Sequence, residues 1–260
     1  MATLVSFHAH PDDESIATGG TIARAADEGH RVVLVFATRG ECGEVPDGFL
    51  DDGEELGHRR ERETQASARA LGAQRVEFLG YRDSGMMGEP TNDDPACFWA
   101  ADVDEAAERL AAILADEQAD VLTVYDDHGG YGHPDHIQVH RVGHRAAQVA
   151  GTPRVFESTM NRDHLRRLMQ EAADSGVEID DDVRDERFGT PAALITTTVD
   201  VRAWVERKRE SMRLHASQIA EESFFLAMAS DAFTEVFGWE WYIRTVGEPV
   251  LPADDWLLPG

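Results

Sequence analysis

The sequence contains few cysteines and almost no lysine. The two cysteines, Cys42 and Cys97, do not form a Cys-x-x-Cys pair, and this excludes a disulfide-rich scaffold. Of the 24 basic residues only Lys208 is a lysine, and the others are arginines. That bias is typical of a GC-rich genome or of adaptation to high salt, and composition does not separate the two.

Long apolar runs and positive charge are also scarce. No stretch approaches the ~18 apolar residues of a membrane span, and the N-terminus lacks a basic segment, so we expect a cytoplasmic protein. The 50 acidic and 24 basic residues give a formal net charge of −26. This charge would repel nucleic acid and an anionic membrane, and it favours a neutral or cationic small molecule as partner.

Apolar strand patterns alternate with helical patterns along the 260 residues. A helix is predicted from about Glu14 to Glu28, and strands are predicted at Leu4–His8, Arg31–Ala37, Arg75–Leu79, Asp120–Tyr125, Val155–Ser158, Ala193–Val201 and Trp239–Val246. This order is typical of an α/β fold with a Rossmann-like, doubly wound, mostly parallel sheet. We expect a single domain over residues 1–260, in which residues 1–160 form the core.

Two clusters of histidine and aspartate directly follow two of these strands. One spans His8 to Glu14, and the other spans Asp126 to His136. Ligands of doubly wound sheets bind at the carboxyl ends of the strands, so both clusters are expected at one edge of the sheet. Imidazole and carboxylate together suit zinc. Incidental histidines in polar loops would explain one such cluster better than two, so we predict a metal site.

The motifs Ala9-His10-Pro11-Asp12-Asp13-Glu14 and His133-Pro134-Asp135-His136 resemble the paired signature of the PIG-L/LmbE family of zinc-dependent N-deacetylases. The resemblance runs from the N-terminus to about Val149. Segments 81–86 and 129–132 resemble most the mycothiol branch, which includes a biosynthetic deacetylase and the mycothiol S-conjugate amidase. The family implies N-deacetylation of an aminosugar-containing small molecule such as N-acetylglucosaminyl-inositol. It also implies that residues 161–260 form a smaller α+β portion that walls the pocket.

The resemblance implies roles for individual residues, transferred position by position. Three would bind the metal ion: His10, Asp13 and His136. Four would act in catalysis: Asp12 as general base, His133 facing the developing oxyanion, Tyr131 as a mobile tyrosine, and Asp135 as a carboxylate that orients a histidine. Arg60 and Asp83 would contact the sugar or inositol. The expected cofactor is Zn²⁺, and Fe²⁺ suits the same ligands.

These residue types suit amide hydrolysis independently of the resemblance. A metal ion polarises the carbonyl, and Asp12, beside a ligand, can take a proton from water and return it to the leaving amine. If Pro134 opens a helix, His133 precedes His136 by one turn and can present an N–H to the oxyanion.

Other histidines and one acidic segment have less defined roles. His136, His140 and His144 share one helical face, and such a ladder could bind metal. No carboxylate lies on that face unless another segment supplies it, so we expect partly buried helix histidines. His215 either contacts substrate or packs at a helix end. The acidic run from Glu178 to Glu186 is expected to be a solvated loop.

Alternative functions share part of this pattern. A natural-product tailoring deacetylase would use the same chemistry on another amide. A phosphoesterase would keep the metal, but the net charge of −26 disfavours a polyanionic substrate. A non-catalytic metabolite-binding protein would not need Asp12 as a base.

Overall fold

The structure of the protein is a computed structural model that describes residues 1–174, 188–247 and 255–259. The acidic run at 178–186 lies outside the described residues. The strands in the described part are β1 (Thr3–His8), β2 (Arg31–Phe36), β3 (Arg75–Phe78), β4 (Val121–Tyr125), β5 (Arg154–Thr159), β6 (Thr197–Asp200) and β7 (Trp239–Val246). The helices there are α1 (Asp13–Ala17), α2 (Gly19–Asp27), α3 (Leu56–Leu71), α4 (Val103–Asp116), α5 (Gly129–Gly132), α6 (Pro134–Ala150), α7 (Arg162–Asp174), α8 (Val205–Arg213) and α9 (Ser230–Phe237).

The described strands form one seven-stranded sheet of order β3-β2-β1-β4-β5-β7-β6. Strands β1 to β5 run parallel, whereas β7 is antiparallel to both β5 and β6. The predicted α/β fold with a mostly parallel sheet is therefore confirmed. The chain first builds outward from β1 to β3 and then returns to place β4 on the other side of β1. The carboxyl ends of β1 and β4 meet at this switch point, where doubly wound folds bind ligands.

Both faces of the sheet are covered by apolar layers, as the continuous hydrophobic run in β2 predicts. Val33 and Val35 belong to one layer, and Val32 and Leu34 belong to the other. Helices α4 and α6 cover the first face, and α2 and α3 cover the second. Among the described helices, none is long and apolar enough to cross a membrane.

The structure corrects two predicted elements. The helix predicted over 14–28 is two helices, because the chain leaves helical geometry at Thr18 and α2 starts anew at Gly19. The carboxylate of Glu240 accepts hydrogen bonds from the backbone N–H groups of Gly20 and Thr21, which stabilises this second N-terminus. The strand predicted over 193–201 is confined to β6, since a 3₁₀ turn after Pro191 takes up Ala192–Leu194.

A buried ion pair links the C-terminal region to the first helices. The only lysine, Lys208 on α8, is 1% exposed, and its Nζ lies 2.7 Å from Oε1 of Glu240 on β7. Glu240 is the residue that caps α2. Three elements far apart in sequence therefore meet at one carboxylate.

Candidate active site

The two histidine and aspartate clusters converge at the carboxyl ends of β1 and β4. His10 lies in the turn after β1, Asp13 begins α1, and His136 lies in the first turn of α6. Gly129 brings the loop after β4 close to α6: it has φ 65°, and a Cβ at this position would lie 2.7 Å from the Cβ of His136. A glycine is therefore required where the backbone passes His136.

Asp13 lies between two histidines, and each of its two carboxylate distances to them is compatible with a shared metal ion. Its Oδ2 is 3.5 Å from Nδ1 of His10, and its Oδ1 is 3.5 Å from Nε2 of His136. Donors that bind one tetrahedral zinc ion at 2.0–2.2 Å lie about 3.4 Å from one another. Nε2 of His136 is buried and has no hydrogen-bond partner among the described residues. An unpartnered nitrogen in such a donor set fits a divalent cation.

Carboxylates surround His10 and favour positive charge at this position. Its Nε2 lies 3.1 Å from Oδ2 of Asp135 and 3.5 Å from Oδ1 of Asp83. Burial by itself lowers the pKa of His10, but Asp83, Asp13 and Asp135 together raise it well above its usual value. Burial likewise opposes ionisation of Asp13, yet His136 and His10 hold the pKa of that carboxyl far below its usual range. The site is therefore built to hold a cation.

The two ring nitrogens of His133 are chemically distinct. The backbone N–H of Asp135 donates to Nδ1 of His133 over 3.1 Å, which caps the N-terminus of α6. Because Nδ1 accepts, the proton of the neutral ring lies on Nε2. Burial and the neighbouring His10 and His136 lower the pKa of His133 to about 4. His133 is thus a neutral N–H donor at neutral pH, and its ring centroid lies 4.6 Å from that of His10.

Asp12 adopts a strained backbone conformation next to this group. It has φ 98°, a region that residues other than glycine rarely occupy. Its backbone N–H donates to Oε2 of Glu14 over 2.9 Å, and its Oδ2 lies 3.3 Å from Nη2 of Arg60. Burial raises the pKa of the Asp12 carboxyl to about 6, against the opposing effect of Arg60. Its pKa therefore lies close to the pH range in which it would exchange protons.

Glu14 supports Asp12 through a buried network that reaches the C-terminal region. Nε2 of His215 lies 2.6 Å from Oε1 of Glu14, and both side chains are fully buried. The hydroxyl of Ser67 donates to the same oxygen over 2.5 Å. Burial opposes ionisation of Glu14, but the contact with His215 lowers the pKa of this carboxyl to about 2. Because 201 residues separate its two members, no local sequence pattern predicts this pair.

The remaining predicted site residues lie around the same centre. Tyr131 is 51% exposed, and its ring centroid lies 5.0 Å from that of His136. Asp83 is buried beside His10 and accepts hydrogen bonds from the backbone N–H groups of Cys42 and Gly85. Arg60 is 3% exposed and donates to the backbone oxygens of Pro11 and Gly40. The guanidinium of Arg60 is thus engaged with the turn that carries Asp12.

Asp135 is fully buried and connects several parts of the site. Besides its contact with His10, it accepts hydrogen bonds from the backbone N–H and the hydroxyl of Ser84. These donors hold its carboxylate against Nε2 of His10. The sequence signal for this arrangement is the spacing of the second motif, which places Asp135 one residue before His136.

Comparison with known proteins connects this geometry to a reaction. Residues 5–147 match the family described as PIG-L, GlcNAc-PI de-N-acetylase. A curated relative from Acidothermus cellulolyticus is named 1D-myo-inositol 2-acetamido-2-deoxy-alpha-D-glucopyranoside deacetylase. It is 43% identical, and the match covers 98% of this chain and 92% of the relative.

Two solved structures share the fold. One is the N,N'-diacetylchitobiose deacetylase from Pyrococcus horikoshii, with a TM-score of 0.62 and 24% identity over 94% of this chain and 84% of that chain. The other is GalB, a 4-carboxy-2-hydroxymuconate hydratase from Pseudomonas putida, with a TM-score of 0.61 and 18% identity over 96% of this chain and 98% of that chain. Because a hydratase has the same fold, the fold alone does not identify the reaction.

Proposed function

Because this chain belongs to the PIG-L family of de-N-acetylases, we propose that it removes the acetyl group from N-acetylglucosaminyl-inositol with the help of a bound divalent metal ion. The observation that carries the proposal is the position of Asp13 between His10 and His136, with Asp12 directly beside it. These three residues would hold the ion. Zn²⁺ is the expected metal, and Fe²⁺ would accept the same ligands.

The reaction is hydrolysis of an amide, in which water adds to the carbonyl carbon, the C–N bond breaks, and acetate and a free amine leave. When bound, a divalent cation supplies Lewis acidity toward the carbonyl and the attacking water. Asp12 would accept the proton of the water and pass it to the nitrogen of the departing amine. One carboxylate would thus serve first as base and then as acid, which suits a pKa of about 6.

His133 would stabilise the tetrahedral intermediate. Its neutral ring carries the donor proton on Nε2, and its Nδ1 is fixed by the backbone of Asp135. A donor that is already oriented stabilises a developing oxyanion without further reorganisation. Tyr131, exposed on the short glycine-rich helix α5 beside His136, would supply a second donor or close over the substrate.

Three further predicted residues would act mainly by positioning. The contact of Asp135 with His10 supports its proposed role in orienting that histidine. Asp83 lies close enough to His10 to do the same, and it would also be available to a sugar hydroxyl. The contacts of Arg60 favour a role in holding Asp12 over direct binding of the inositol.

We also propose that residues 1–260 form one functional domain whose C-terminal portion, 161–260, completes the site. Strands β6 and β7 extend the same sheet as β1, and His215 reaches Glu14 beneath the catalytic turn. The C-terminal portion would therefore both wall the pocket and stabilise the conformation of Asp12.

A panel of substrates tests the proposal. The protein, loaded with one equivalent of Zn²⁺ or Fe²⁺, is incubated with N-acetylglucosaminyl-inositol, free N-acetylglucosamine, a mycothiol S-conjugate, a glycopeptide bearing an N-acyl glucosamine, and p-nitrophenyl phosphate. Release of amine and of phosphate is measured. We expect the highest kcat/KM for N-acetylglucosaminyl-inositol and no phosphate release. Preference for the S-conjugate or the glycopeptide would instead identify an amidase or a tailoring deacetylase, and the absence of any amine product would refute the proposal.

A further inference from the structure

A second group of imidazole and carboxylate side chains lies farther along α6. His140 and His144 follow His136 by one and two helical turns, and Glu157 approaches them from β5. Nε2 of His144 lies 2.8 Å from Oε1 of Glu157, and Nδ1 of His140 lies 3.3 Å from the same oxygen. The neighbouring strand thus supplies the carboxylate that the histidine ladder lacks on its own helix.

The three side chains are partly buried and remain accessible to a small ion. The side chains of His140 and His144 are 22% and 23% exposed, and that of Glu157 is 10% exposed. Two of them, His140 and Glu157, line a cavity of about 430 Å³ together with Asp126 and Asp127. Three of the described residues that line this cavity carry carboxylates, whereas only one, Arg162, carries a permanent positive charge. The local charge therefore attracts cations.

We propose that His140, His144 and Glu157 form a second binding site for a divalent transition-metal ion. One potential ligand atom from each residue lies within 4.8 Å of those of the other two. Bound donors lie about 3.4 Å apart around a tetrahedral zinc ion, so small shifts of the side chains bring all three into its coordination sphere. Water from the cavity completes the coordination.

The histidine nitrogens that face Glu157 are engaged in hydrogen bonds that a bound ion would replace. Nδ1 of His140 lies 3.1 Å from the backbone oxygen of Tyr125 and 3.3 Å from Oε1 of Glu157. To bind the ion through Nδ1, His140 would carry its ring proton on Nε2. On binding, the ion replaces the proton that His144 now shares with Glu157, and that imidazole carries its proton on Nδ1 instead.

The donor set also defines the class of ion. Two imidazoles and one carboxylate favour Zn²⁺, Cu²⁺ or Ni²⁺. Mg²⁺ and Ca²⁺ prefer oxygen ligands. The proposed ligand group offers them one carboxylate, that of Glu157. The site shares no ligand with the group formed by His10, Asp13 and His136, so the proposal does not depend on the proposed function.

Equilibrium dialysis against Zn²⁺, with the bound metal measured by mass spectrometry, tests the second site. The His140→Gln/His144→Gln protein is compared with wild type, and His58→Gln is the matched control because His58 is an exposed histidine on α3. We expect the double variant to bind one ion per chain fewer than wild type, whatever the first site holds. We expect His58→Gln to match wild type and Mg²⁺ in excess not to displace the ion.

A single-residue variant distinguishes loss of a metal ligand from loss of folding. His144→Gln changes a single, partly exposed side chain, and circular dichroism spectra establish that each variant is folded. We expect this variant to weaken Zn²⁺ binding at the second site at least tenfold. Equal stoichiometry and affinity in wild type, His144→Gln and the double variant would overturn the proposal, and so would displacement by Mg²⁺.

Discussion

At the scale of single residues, His133 combines two tasks through its two ring nitrogens. Nδ1 accepts the hydrogen bond that caps α6, and Nε2 keeps the proton that would face the oxyanion. Asparagine can reproduce the first task, because its side-chain oxygen accepts at a similar position and it is a favoured N-cap residue. Glutamine can place an N–H near Nε2 but does not cap well. The two substitutions therefore separate stability from catalysis.

We expect His133→Asn to lower kcat by about 10²–10³-fold, since one oxyanion donor is lost, while thermal stability stays close to that of wild type. We expect His133→Gln to retain more activity and to lose about 1 kcal/mol of stability with the cap. Steady-state kinetics and urea unfolding measure the two effects. Wild-type kcat in His133→Asn would exclude His133 as the oxyanion donor.

The site residues that sequence analysis predicted share a local signal. His10, Asp12 and Asp13 are neighbours in one motif, and His133 and His136 belong to another, so each motif brings its members together whatever the rest of the chain does. Glu14 belongs to the first motif as well, but its partner His215 comes from the other end of the chain. No local pattern encodes that contact, because only the tertiary fold brings the two side chains together.

At the scale of elements, the junction of α2, α8 and β7 depends on buried charges. Lys208 and Glu240 are almost fully buried, and Glu240 also holds the first backbone N–H groups of α2. Removing one member of a buried pair leaves the other without compensation. The same helix α8 offers an exposed pair for comparison, since Arg207 contacts Asp27 on α2 at the surface.

We expect Lys208→Met to lower the free energy of unfolding by about 3–5 kcal/mol, because Glu240 remains buried without its cation. Arg207→Met removes a cation of the same helix from an exposed pair, and its cost should stay below about 1 kcal/mol. Urea unfolding followed by circular dichroism gives both values. Equal losses of unfolding free energy in the two variants would show that breaking the buried Lys208 pair costs no more than breaking the exposed Arg207 pair.

Sequence patterns predicted the parallel core better than the C-terminal elements. Strands β1, β2 and β4 are mostly apolar and almost entirely buried, so their composition predicts strands covered on both faces. Helix α9 was not predicted, although Phe233 and Phe237 stand one turn apart and pack against each other with centroids 4.7 Å apart. Its eight residues are too few for a clear helical period. The break between α1 and α2 likewise depends on Glu240, which lies more than 200 residues away.

At the scale of the whole molecule, the first and last parts of the chain both contact the turn that carries Asp12. Glu14 holds the backbone of Asp12, and His215 holds Glu14. Only a few of the acidic residues behind the net charge of −26 surround His10. Most of the other acidic residues in the described part of the chain lie at the surface. The negative net charge disfavours a polyanionic substrate, and it is compatible with the proposed neutral aminosugar.

We expect His215→Leu to lower kcat about ten- to a hundredfold without reducing the bound metal, because Asp12 loses support for its strained conformation. KM should change less than kcat, and His215→Gln, which can still donate to Glu14, should recover part of the rate. Kinetics together with metal analysis measure these effects. A change confined to KM would instead indicate that His215 contacts the substrate.

The most direct test of the account is kcat for release of amine and acetate from N-acetylglucosaminyl-inositol by Asp12→Asn, measured at a metal content equal to that of wild type. Asparagine tolerates positive φ, so the turn should persist, and Asp52→Asn makes the same chemical change at an exposed position. We predict a loss of about 10²–10⁴-fold for Asp12→Asn and none for Asp52→Asn. Undiminished hydrolysis by metal-loaded Asp12→Asn would contradict the mechanism proposed for this site.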